Sequence, residues 1–89
     1  MNLSDVPKQN PDTAARIIDG LAYVIDPETS ELHSFNETAT RAWELSDGQI
    51  TVTQIVDVIA TEYAADRQQV EREVLELFAG LVEKKLILV

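Results

Sequence analysis

Apolar residues are sparse over the first 13 positions, recur with a period near two up to Phe35, and take helical spacing after Asn36. The opening stretch, MNLSDVPKQNPDT, holds two of the three prolines. It reads as a flexible N-terminal tail over residues 1–14, ahead of a folded domain over 15–89. Two β-rich runs, Ala15–Ile18 and Leu21–Asp26, flank Asp19-Gly20. An Asp-Gly pair between apolar runs signals a hairpin, because a type I′ turn needs positive φ at both central residues. In the second run Leu21, Tyr23 and Ile25 share one face. Asp26-Pro27-Glu28-Thr29 reads as a turn with proline second, and a third strand, Glu31–Phe35, completes an antiparallel meander.

The remainder is helical. Asn36 is a good N-cap for a helix from Glu37 to about Leu45, with Glu37 and Arg41 as an i,i+4 pair. Ala39, Ala42 and Trp43 face the core, and Asp47-Gly48 ends the element. Thr51 with Gln54 forms a capping box for a helix to about Ala64, with Val52, Ile55, Val56, Ile59 and Tyr63 on one side. Asp66 with Gln69 opens the longest helix, to about Lys84, and LILV closes the chain in extended form. Three strands followed by three helices predict an α+β, winged helix-turn-helix-like domain.

The apolar face of the third helix is unusually broad. At about 100° per residue, Val70, Val74, Leu75, Leu77, Phe78, Leu81 and Val82 span roughly 160°. Either the helix is held between two others, or one flank lines an open groove. Gly80 bears on this, since a mid-helix glycine costs roughly 1 kcal/mol against alanine and suggests a close backbone approach.

Composition narrows the function. With 89 residues, 45% of them hydrophobic, the chain has one modest core. It has no cysteine, so neither disulfides nor thiolate metal sites arise. The formal net charge of −9 disfavours nucleic acid and acidic membranes alike. No apolar run approaches the roughly 20 residues of a membrane span. The N-terminus has no apolar signal segment, which makes a soluble cytoplasmic protein the expectation.

Candidate chemistry is thin. His33 is the one histidine, and it lies in a predicted strand with neither a nucleophile motif nor HxxxH or HxxE spacing around it. Glu71, Glu73, Glu76 and Glu83 read as a solvated helix face, with Arg67–Glu71 and Arg72–Glu76 as ordinary i,i+4 pairs. Three scattered glycines form no phosphate loop. An acyl carrier protein is excluded, because Ser46 in Glu44-Leu45-Ser46-Asp47-Gly48 closes a helix and the order of its DSL motif is wrong. The expectation is no catalytic residue, no metal and no cofactor.

One set of residues adds to this reading: Phe35-Asn36-Glu37-Thr38-Ala39, Trp43-Glu44-Leu45, Asp47-Gly48, Thr51, Glu62-Tyr63, Asp66, and the series Val70, Val74, Leu77, Leu81, Leu86. In order and spacing they resemble the PqqD family, named for pyrroloquinoline quinone biosynthesis, over Ile18 to Leu88. Asn36 and Trp43 keep the family's asparagine-to-tryptophan spacing, with Phe35 in place of leucine. Lys85 departs from the glycine with which many relatives end the last helix.

The resemblance implies the same fold and a job. The domain would bind the leader segment of a ribosomally made precursor peptide and present it to a modifying enzyme, often a radical SAM enzyme. The leader would add as a strand to the third strand, Glu31, Leu32, His33, Ser34 and Phe35, against a wall from the third helix. The favoured flank of that helix is Glu71, Val74, Leu75, Phe78 and Val82, although the Leu77–Leu81 side is not excluded by pattern. Each of these residues could equally be core. Two other readings stand beside this one. A winged-helix DNA binder would need a basic recognition helix, and residues 67–82 hold two arginines against three glutamates. A structural or dimerisation module would bury the spare helix flank against a twin. The protein is expected to be a monomer or homodimer.

Overall fold

The computed structural model describes Met1–Val89. The chain runs β1 (Lys8–Gln9), β2 (Ala14–Ile18), β3 (Leu21–Ile25), β4 (Leu32–Ser34), α1 (Glu37–Leu45), α2 (Val52–Glu62), α3 (Arg67–Glu83) and β5 (Ile87–Leu88). Asp19 and Gly20 carry φ of 53° and 80°, so the pair forms the positive-φ turn its sequence demands and joins β2 to β3. The loop before β4 closes through Asp26 N–H to Glu31 O at 2.9 Å and Ser30 N–H to Asp26 O at 2.8 Å. β2, β3 and β4 form an antiparallel sheet in sequence order, as the meander pattern predicts.

One face of β3, Ala22 and Val24, is fully buried beneath the helices with Phe35, Trp43, Ile55, Ile59, Val74 and Phe78. Phe35 and Trp43 meet edge to face at 5.8 Å. Sheet and helices are joined where β4 turns into α1. Phe35 N–H donates to Ala22 O at 2.9 Å. The N–H of Ala22 points the same way but meets no strand there; it donates to the Thr40 hydroxyl at 2.8 Å. The third helix packs mainly on α2 and more lightly on α1 and β5.

The helix ends follow the sequence closely. Asn36 Oδ1 accepts from Ala39 N–H, and both halves of the Thr51–Gln54 capping box form. Asp66 caps α3 through Gln68 N–H. The last helix ends in a Schellman motif, with Leu86 N–H on Leu81 O and Lys85 N–H on Val82 O. Lys85 therefore takes φ 61°, the conformation for which glycine is suited. Two local expectations differ. Arg41 reaches across to Glu62 on α2 at 2.7 Å and pairs with Glu44, not with Glu37. Tyr63 ends α2 at 44% exposure and is not core.

The expected flexible tail over residues 1–14 is corrected by the structure. Within it, β1 pairs antiparallel with β5, Gln9 N–H bonds Ser46 O, and Pro7 is fully buried. Asp5 O and Leu3 O accept the N–H groups of Val52 and Thr53, two of the unpaired donors that open α2. The segment is held mostly through its backbone, with Leu3, Pro7 and the Gln9 and Asn10 side chains as isolated anchors, so it carries no hydrophobic period to read.

Two stability changes follow. Thr40→Val keeps shape but strands the Ala22 N–H, and should cost about 1–3 kcal/mol in urea unfolding. Lys85→Gly should raise stability by about 0.5–1 kcal/mol in the same assay by relieving the positive φ.

Candidate functional site

The antiparallel register decides which backbone groups of β4 are free. Residues of β4 pair as Leu32 with Ile25, His33 with Val24 and Ser34 with Tyr23. Glu31 and Phe35 bond to β3 at Asp26 and Ala22, so by alternation His33 also bonds inward. The N–H and C=O groups of Leu32 and Ser34 therefore point away from the sheet, along its open edge. Side chains alternate in the opposite sense. His33 faces the helices, where its Nε2 is shielded and has no hydrogen-bond partner. Leu32 faces out with Ile25 and Tyr23 and is 60% exposed.

A groove runs beside this edge. Its first stretch, about 430 Å³, lies between Leu32–Asn36 with Ala39 on one side and Leu77, Gly80, Leu81 and Lys84 of α3 on the other. The second, about 440 Å³, shares Asn36, Ala39 and Leu77 and continues between Thr38 on α1 and Glu73, Val74 and Glu76 on α3. The two stretches form one trough, with α3 running opposite in direction to the path from β4 into α1. Lys84 lies at the β4 end and the two glutamates at the α1 end. The Asp26 carboxylate braces the loop leading into β4. The Glu28 N–H at 2.8 Å is the chief reason that it titrates below its ordinary 3.8, with Thr29 adding to the effect.

The predicted residues divide clearly. Leu32, His33, Ser34 and Phe35 line the trough, Phe35 as a buried base; Glu31 is exposed before the strand and does not line it. On α3 the favoured flank is corrected. Val74 reaches the trough, but Phe78 is fully buried core and Val82 packs half-buried against that core. Glu71 and Leu75 line a different hollow, with Asp66, Gln68 and Arg72. The wall facing β4 is Leu77, Gly80, Leu81 and Lys84, spaced i, i+3, i+4, i+7 as one helical stripe. The broad apolar arc of α3 is thus core plus shoulders on both sides, and only one shoulder faces the strand edge. Gly80 could have signalled it. A Cβ built there meets nothing within 4 Å, so the glycine opens space in the trough and does not serve a close internal contact.

The other free edge of the sheet, β2, is exposed at all five residues and has no helical wall beside it. No group of three or more His, Cys, Asp or Glu residues is placed to hold a metal. No helix is long and apolar enough to cross a membrane.

Comparison with known proteins bears on this arrangement. Residues 21–87 match the family model of coenzyme PQQ synthesis protein D (PqqD). A "PqqA binding protein" of Rhodopseudomonas palustris is 35% identical over 49 residues, which cover 55% of this chain and 48% of that protein. The matched stretch thus spans about half the length of that curated relative. Among solved structures, TbiB1 in complex with the TbiA(β) leader peptide aligns with TM-score 0.79 at 26% identity, over 90% of this chain and 93% of that one. The PqqD part of Methylobacterium extorquens PqqCD, described as a stand-alone recognition element for ribosomally synthesised, post-translationally modified peptides, aligns with TM-score 0.80 at 27% identity. That alignment covers 99% of this chain and 94% of that one.

The edge geometry predicts a specific exchange pattern in the free protein. Amides of His33 and Phe35 should be protected from hydrogen exchange, and those of Leu32 and Ser34 should exchange as rapidly as loop amides, read by NMR in deuterated buffer.

Proposed function

The chain belongs to the PqqD family, its residues 21–87 matching the family model, and from that premise we propose that it binds the leader segment of a ribosomally made precursor peptide and presents it to a modifying enzyme. The observation that carries the reading is the pairing of an unfilled strand edge with a groove directly beside it. Leu32 and Ser34 offer an extended guest up to four backbone hydrogen bonds, whatever its side chains. The trough between β4 and the Leu77–Lys84 stripe then receives every second side chain. Affinity and selectivity come from separate parts of the site.

The edge of β2 offers backbone groups too, but the shallow hollow lined by Ala14, Arg16, Ile18, Tyr23, Ile25 and Leu32 is built from the sheet face with no helix opposite the edge, so the guest belongs on β4. The reading includes no catalytic step: the domain holds a substrate for another protein's chemistry. A radical SAM enzyme is the first candidate for that partner, on the family resemblance. The work belongs in the cytoplasm, where a ribosomal precursor is made.

Ser34→Pro tests the edge itself. It removes an outward N–H and leaves the β3–β4 ladder whole, a substitution that edge strands tolerate. Titrated with a candidate leader peptide, such as PqqA, the parent should gain exchange protection at Leu32 and Ser34. The variant should bind at least about tenfold more weakly with an unchanged fold by circular dichroism, roughly the loss of one hydrogen bond and its neighbour's geometry. Equal affinity for both proteins would refute strand addition at β4.

A further inference from the structure

The trough is not uniform, and its asymmetry describes the guest. At its centre, facing the strand edge, Gly80 leaves a vacancy on α3 between Leu77, Leu81 and Lys84. A guest strand paired with β4 turns its outward-bonded residues, opposite Leu32 and Ser34, toward the exposed sheet face. The guest residue opposite His33 turns instead toward α3, because directly opposed residues share a face. That side chain meets the Gly80 vacancy, where apolar walls from Leu77 and Leu81 would close round it.

Charge is distributed on either side of this point. Glu73 and Glu76 line the α1 end, and neither is in an ion pair; Glu73 only accepts a 3.2 Å bond from Gln69. Lys84 lines the opposite end and is likewise unpaired. Gly80 to Glu76 and Glu73 is four and seven residues, about 6 and 10 Å of helix rise. A strand covers that distance in roughly two to three residues.

Resting on the peptide-binding reading above, we propose that the groove selects extended segments carrying a bulky apolar side chain opposite His33, with lysine or arginine two positions away toward the α1 end, the nearest position whose side chain faces α3 again. Acidic side chains are rejected at the Glu73–Glu76 end and accepted beside Lys84. The guest is therefore polarised, cation to apolar anchor to anion, and the polarity sets its direction along β4. A protein of net charge −9 would otherwise repel anionic peptides everywhere; Lys84 makes one end of the trough an exception.

The test is selection of a random 12-residue peptide library by mRNA display on the full chain, with winners synthesised and their Kd values measured. Peptides that perturb the Leu32 and Ser34 amides should carry the cation-to-anchor spacing. The double variant Glu73→Lys/Glu76→Lys should weaken them at least tenfold, and reselection on it should return acidic residues in place of the cation. Gly80→Leu, which has open space for its side chain and improves helix propensity, should keep or raise the melting temperature while selecting small residues at the anchor. If groove binders show no such spacing, or lose less than twofold on the double variant, the polarity is wrong and the adaptor reading stands. If no selected peptide perturbs Leu32 or Ser34, both fall.

Discussion

The hydrogen bond from Ala22 N–H to the Thr40 hydroxyl sets where the sheet stops and the helical layer starts. Ala22 needs a partner on the β4 side, and the chain has already left the strand at Phe35. Because a helix side chain supplies that partner, α1 is pinned to the end of β4 with little freedom. The Phe35–Trp43 edge-to-face contact closes the same corner. The third helix packs mainly on α2, and the gap left between it and the β4–α1 corner is the trough.

A domain this small has little stability to spare, yet it leaves a strand edge and part of α3 uncovered. It offsets this by satisfying polar groups elsewhere. Leu3 and Asp5 cover donors at the head of α2, Thr51 and Gln54 cap each other, and the Schellman bonds close α3. Asn10 anchors the last turn from the other side, bonding Lys85 O and Leu86 O. These contacts hold both ends of the chain against the body while the β4 edge stays unpaired.

The same site explains the distribution of residue types on α3. Val70, Val74, Phe78 and Leu81 are buried in the core, and of these Val74 and Leu81 also reach the trough. Leu77, Gly80, Leu81 and Lys84 form the neighbouring stripe and face a space large enough for side chains from another molecule. Gly80 is the clearest instance. In an internal helix position it weakens the helix, and nothing in the fold itself needs its small size. Its consequence is a vacancy facing the free edge.

The strands, helices and most caps were legible in the sequence, because each depends on neighbours a few residues apart. Asp19-Gly20 specifies its turn and Thr51-Gln54 its helix start; the period-two run separates two faces of β3, and only the structure shows that Ala22 and Val24, not Leu21, Tyr23 and Ile25, form the buried one. Two things were not. The role of residues 1–14 rests mainly on backbone groups that every sequence has, helped by the isolated side chains of Leu3, Pro7, Gln9 and Asn10, which form no period that would announce it. The groove-facing flank of α3 was expected on Glu71, Val74, Leu75, Phe78 and Val82, with the Leu77–Leu81 side left open by pattern; of the favoured set only Val74 lines the trough, and the stripe facing β4 is Leu77, Gly80, Leu81 and Lys84. Apolar spacing says which residues share a face of a helix, but the rotation of that helix about its axis is settled only by what it packs against. Here α2, with lighter packing from α1 and β5, sets that rotation, and with it the side of α3 that β4 sees.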